Sequence, residues 1–107
     1  MFLKSIASGI QKDVGIHSRA WLLPDCVGQA GHFGVTHLKP HDALPINAHT
    51  YDEIFYIIEG SALISISSEE QIAEAGSVIF IPKGAYHFVT AQESLLKMLF
   101  INMDAEK

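Results

Sequence analysis

The chain of 107 residues carries a formal charge of −5, with 18% charged and 49% hydrophobic residues. That length supports one domain, 1–107, with a small core, and so large an apolar share points to a second subunit covering part of the surface. Seven Lys and Arg scattered along the chain form no basic stripe, which excludes a nucleic-acid binder, and the single cysteine, Cys26, excludes an internal disulfide framework and fits a reducing compartment.

The opening MFLKSIASGIQKD has an apolar stretch too short and too broken for a signal peptide. Residues 1–18 read as an N-terminal extension, and its first dozen residues hold the only patterning compatible with a helix. In RAWLL, an extended backbone would set Arg19 and Trp21 on one face as a carboxylate clamp beside an aromatic wall; a surface Arg next to a core Trp is the commoner arrangement. GQAGHFG, with Gly28, Gly31 and Gly34, lacks the strand-to-helix context of a phosphate loop and reads as a connector.

From there the apolar pattern is short and strand-like. HFGVTHLKP alternates Phe33, Val35 and His37 against Thr36 and Leu38 and stops at Pro40; taking Phe33 and Val35 as inward brings His37 toward the interior. EIFYIIEG is apolar on both faces, as in a strand buried between two surfaces. ALISIS and SVIFIP follow, and LLKMLFIN closes the series with Leu96, Met98 and Phe100 on one side. Turn signals separate the runs at Pro40-His41-Asp42, Glu59-Gly60, Ser68-Glu69-Glu70, Ala75-Gly76 and Pro82-Lys83-Gly84. Short strands at regular spacing predict an all-β sandwich or barrel. The longest aromatic–aliphatic run, Ile54 to Ile58, is far short of a membrane span, so a soluble, cytoplasmic protein is expected.

PINAHTYDEIFYIIEG, from Pro45 to Gly60, carries the chemistry. Residues two apart on a strand share a face, which directs Asn47 and His49 into one space. Glu53 follows after Thr50-Tyr51-Asp52, and His87 follows the Pro-x-Gly turn of PKGAYHFVT. Two imidazoles and a carboxylate suit Fe, Ni, Mn, Zn or Cu and leave coordination positions open; the alternative for each histidine alone is a hydrogen-bonded core residue. Tyr51 shares the parity of His49, and its phenol is a candidate proton carrier. Tyr56 and Tyr86 have the opposite parity to Glu53 and His87 and are expected outside.

The spacing of these residues resembles the cupin superfamily, and the chain is similar to its small single-domain members over residues 33–101. The first cupin motif reads Gly, five residues, His-x-His, three or four residues, Glu, six residues, Gly; His49, Glu53 and Gly60 match it in register. The second reads Gly, five residues, Pro-x-Gly, two residues, His, three residues, Asn; Gly76, Pro82, Gly84 and His87 match it in order and spacing. Three positions depart from the pattern: His41 replaces the opening Gly, Asn47 the first metal-binding His, and Ala91 the closing Asn.

The resemblance implies a double-stranded β-helix, a small jelly-roll barrel, with a divalent transition metal (Ni, Fe, Zn or Mn) inside. It implies His49, Glu53 and His87 as ligands, with Asn47 in the fourth place. An amide is a poorer donor than imidazole for such ions, so Asn47 is expected on a water or substrate molecule; His41, on its turn, is a remote substitute. The implied roles are an isomerase, tautomerase or dioxygenase acting on a small oxygen-rich metabolite such as a sugar, sugar acid or keto-acid. The alternative is a metal-free or weakly metal-binding module that holds or senses a small molecule. A homodimer is expected in either case, because one face of Ile54, Tyr56 and Ile58 needs covering.

Overall fold

The computed structural model describes residues 10–14, 17–21 and 31–103. They form ten strands and no helix: β1 (Ile10–Val14), β2 (His17–Trp21), β3 (Gly31–Leu38), β4 (Ala43–Asn47), β5 (Asp52–Glu59), β6 (Ser61–Ile66), β7 (Glu69–Glu74), β8 (Val78–Ile81), β9 (His87–Ala91) and β10 (Leu96–Met103). All pairings are antiparallel, in a six-stranded sheet of order β1-β2-β3-β10-β5-β8 and a four-stranded sheet of order β4-β9-β6-β7. This is an all-β jelly roll. Among the described residues no helix is long and apolar enough to cross a membrane.

The core lies between the sheets and follows from strand periodicity. On β10, Leu96, Met98, Phe100 and Asn102 are buried and the residues between them half-buried. The inner faces of β5 and β10 put Phe55 opposite Phe100, and the four-stranded sheet meets them with Leu44, Ala62, Ile64, Val89 and Ala91. Such antiparallel layers bury one face of each strand and alternate with an outer face. On β5 that outer face is Ile54, Tyr56 and Ile58, with Tyr56 41% and Ile58 42% exposed. Neighbouring β8, the edge of the sheet, adds Val78 and Phe80, both exposed.

Two expectations from the sequence are corrected here. Of the first dozen residues, where helical patterning was expected, only Ile10, Gln11 and Lys12 are described, and they belong to strand β1. His37 does not face the interior: its cross-strand partner is Lys97, whereas Leu38 pairs with Leu96 of the core. The inward side of β3 is Gly34, Thr36 and Leu38. Val35 misled because it is buried on the outer side, outside the core cluster. Arg19 and Trp21 lie on strand β2; their side chains, like Cys26, fall outside the described residues.

Turns place the strands. Gly60 joins β5 to β6 at φ +85°, and a Cβ there would run into the carbonyl oxygen of Leu95, so both backbone angle and space demand glycine. Ile66 pairs with Glu69, which leaves Ser67-Ser68 as a two-residue hairpin, both at positive φ, the geometry of a type I′ turn.

Candidate metal centre

Four chain segments meet at one end of the barrel. Glu53 stands near the start of β5, His87 opens β9, and Asn47 closes β4. His49 lies beyond β4, on the segment leading to β5, so its direction is set by the loop and not by strand parity with Asn47. That loop is tied to the Pro82-Lys83-Gly84 turn by two hydrogen bonds. The Gly84 N–H donates to the His49 carbonyl at 2.8 Å, and the Lys83 N–H donates to Asp52 Oδ1 at 2.8 Å. Gly84 sits at φ +82°, a conformation that glycine adopts without Cβ strain. The Pro-x-Gly turn thereby delivers both histidines to one place.

The donor atoms converge on Glu53. Its Oε1 lies 3.7 Å from His49 Nε2 and 3.8 Å from His87 Nε2. One ligand atom from each of His49, Glu53 and His87 falls within 4.8 Å of the others. These separations exceed hydrogen-bond length. They are close to the spacing of about 3.4 Å between ligand atoms that each sit about 2.1 Å from a shared ion in tetrahedral geometry. The Glu53 side chain is only 1% exposed and that of His87 5%; so deep a carboxylate is expensive to bury unless a cation or close donors compensate it. The donor set thus fits a divalent transition metal.

The tautomer of His87 agrees. Its Nδ1 is 3.1 Å from the Ala85 carbonyl, and a carbonyl has no proton to give, so Nδ1 carries the hydrogen. In the neutral ring, Nε2, on the side of Glu53, then keeps its lone pair. An outer hydrogen bond of this kind orients metal-binding histidines generally. The His49 ring is held differently, stacked on Tyr51 with centroids 4.6 Å apart and planes 8° from parallel. The rings of His49 and His87 are 5.0 Å apart and tilted by 55°.

The other sequence-derived positions divide. Tyr51 is half-buried against His49. Asn47 is paired across the sheet with His87 but is exposed, and its Oδ1 accepts a hydrogen bond from the Ala48 N–H at 2.8 Å. His41 is exposed on its turn at φ 68°. Tyr56 and Tyr86 are exposed, on the outside as parity required. His37 stands apart beside Lys97 and Glu59. Asn102 was missed: it is 4% exposed and directly across from Glu53 on β10. The signal was an Asn at an inward position of LLKMLFIN, in step with Leu96, Met98 and Phe100. A separate groove of about 330 Å³, lined by Ile64, Ile72, Val78 and Phe80 among others, contains none of these residues.

A jelly roll whose end gathers two histidines and a glutamate is a small barrel with a possible metal site. Residues 34–102 match the family model described as "Cupin domain", and the chain belongs to the cupin family. It is 32% identical over 75 residues to the tetracenomycin polyketide synthase protein TcmJ of Streptomyces glaucescens, a match covering 68% of this chain and 50% of that protein. The matched segment therefore spans about half the length of that relative. Among solved structures, an RmlC-like cupin from Shewanella frigidimarina superposes with a TM-score of 0.85 at 14% identity, covering 100% of this chain and 94% of the other. A predicted oxalate decarboxylase from Thermotoga maritima gives 0.83 at 18% identity, over 95% and 98% of the two chains. KdgF from a Halomonas species gives 0.72 at 18% identity, over 86% and 84%. At such identities the likeness is one of fold.

Proposed function

We propose that the chain is a metal-dependent enzyme that isomerises or tautomerises a small oxygen-rich carbonyl compound, with His49, Glu53 and His87 holding one divalent ion. The observation that carries this reading is the convergence of three ligand atoms within 4.8 Å at one end of the barrel. When bound, such an ion supplies Lewis acidity to a carbonyl or hydroxyl oxygen. The protein's own residues do the rest. Glu53 and His87, both buried, exclude water from one side of the site. The Tyr51 phenol, whose ring stacks on His49, is assigned the movement of a proton to or from the bound compound. Asn47, at the mouth, meets water or substrate. The match to a protein named for a polyketide synthase supports carbonyl-rich compounds beside sugars, sugar acids and keto-acids as the substrate class.

A second reading, oxygenation, rests on the donor set itself: two histidines and one carboxylate leave room for substrate and oxygen together. The functional unit in either case is proposed as a homodimer.

The experiment is metal analysis of protein purified without added metal, followed by nuclear magnetic resonance of metal-loaded protein with a panel of keto-acids and sugars in heavy water. Near-stoichiometric metal, lost in Glu53→Ala, is expected, together with deuterium entering the carbon beside a carbonyl. Tyr51→Phe should slow that exchange by about 10²-fold or more. Protein that takes up no metal even when offered it would overturn the enzyme reading in favour of a small-molecule binding module. Oxygen consumption without exchange would favour the oxygenase.

A further inference from the structure

Asn102 is a polar residue on an otherwise apolar inner face. Leu96, Met98 and Phe100 precede it on the same side of β10, and all are fully buried. Its amide oxygen is buried and has no hydrogen-bond partner among the described residues. Leaving such an acceptor unmet is costly, and a leucine of the same branched shape at the same place would carry no such cost. The position is therefore poor as packing, which directs attention to what the amide faces.

Register answers that. Asn102 pairs directly with Glu53 across β10 and β5, and residues directly opposite on one face of antiparallel strands have Cβ atoms about 4.5–5.5 Å apart. Both side chains are buried, which sets Asn102 beside the Glu53 carboxylate that His49 and His87 approach. A neutral amide oxygen is a weak partner for the ion compared with the three ligands. What it can do well is accept a hydrogen bond from a hydroxyl. Another buried oxygen without a partner, Thr36 Oγ1, sits across from Met98, about 13 Å along β10 at 3.3 Å per residue, and is out of reach of that carboxylate.

We propose that Asn102 is the ligand-positioning residue of this site: its amide oxygen accepts a hydrogen bond from a hydroxyl adjacent to the ligand's metal-binding oxygen, which selects small α-hydroxycarbonyl compounds. The inference rests on the metal reading above and names the substrate class within it. A compound with an ether in place of the hydroxyl would leave the amide buried and unmet, and would bind worse for that reason.

The test compares glycolate with methoxyacetate, which has the same oxygens but no hydroxyl proton, by calorimetry on Ni(II)-loaded protein. Wild type should bind glycolate about tenfold more tightly. Asn102→Leu should load Ni(II) as wild type does and lose the preference to within about twofold, while Asn102→Asp, which keeps an acceptor, retains it. Equal binding of the two probes by wild type, or a preference that survives in Asn102→Leu, overturns the assignment. So does loss of Ni(II) in Asn102→Leu as complete as in Glu53→Ala, which would make Asn102 a ligand. Should Asn102→Leu not fold, the wild-type comparison still decides. Wild type that binds no Ni(II) overturns the metal reading itself, an outcome separate from the others.

Discussion

His37 is held below the ordinary histidine value of 6.5, by burial first and by the Lys97 ammonium second, against the opposing pull of Glu59. A histidine whose folded pKa is depressed favours the neutral form in the folded protein. Its contribution to stability is complete above pH 6.5 and is lost as pH falls through the folded pKa. Urea unfolding at pH 7.5 and pH 5.5 should show wild type losing more stability on acidification than His37→Gln, and identical losses would remove His37 from the account. At the candidate metal centre, Asn47 is the informative residue. Its exposed amide, engaged by the Ala48 N–H, fits a place at the mouth. Asn47→Ala should keep most of the metal that His49→Ala loses. Asn47→His, which adds an imidazole across from His87, should raise Ni or Zn affinity about tenfold, or 1.4 kcal/mol. Equal metal loss in the two alanine variants would instead make Asn47 a ligand.

The connections between elements concentrate the conformational strain. Gly60→Ala would add a Cβ at φ +85° against the Leu95 carbonyl oxygen. A non-glycine residue in that region costs about 1–3 kcal/mol, and the clash adds to it, so a loss of at least about 2 kcal/mol is expected by chemical denaturation. The opposite sign applies at the β6–β7 hairpin. Ser67 and Ser68, at φ 50° and 74°, occupy positions that Asn and Gly prefer in a type I′ turn. The double change Ser67→Asn, Ser68→Gly should raise stability by about 1 kcal/mol, and a fall would mean that the serines make contacts worth more than the backbone strain. β7 itself, EEQIAE, is almost wholly exposed at the edge of its sheet. Its charges discourage pairing with another chain, which is how natural sheets protect such edges.

For the molecule as a whole, the proposed homodimer rests on the outer face of β5 and β8. Tyr56, Ile58, Val78 and Phe80 are 41%, 42%, 66% and 52% exposed and contiguous, since Ile54 pairs with Phe80 and Tyr56 with Val78. Contiguous apolar surface of this kind marks an interaction site, and a symmetric dimer lets one patch cover its own copy. Light scattering should give a dimer at micromolar concentration, and Val78→Glu with Phe80→Glu should convert it to a monomer that keeps its metal. A wild-type monomer would remove the dimer from the account.

Short apolar runs were enough to read β5 and β8, and alternation to read β6 and β10, while the two motif spacings singled out His49, Glu53, Gly84 and His87. Local patterns of this kind record whether a face is covered. They do not record what covers it. Val35 is apolar and buried on the outer face of β3, so parity sent His37 to the wrong side. β7 carries no apolar stripe because a solvated edge needs none, so its strand was invisible. The meeting of the 48–51 loop with the 82–84 turn depends on hydrogen bonds between segments distant in sequence. The place of Asn102 opposite Glu53 depends on which residue of β10 pairs with which residue of β5. Register is fixed by the packing of whole sheets, and for that reason only the tertiary structure could put an amide from the last strand beside the carboxylate that the sequence had already singled out.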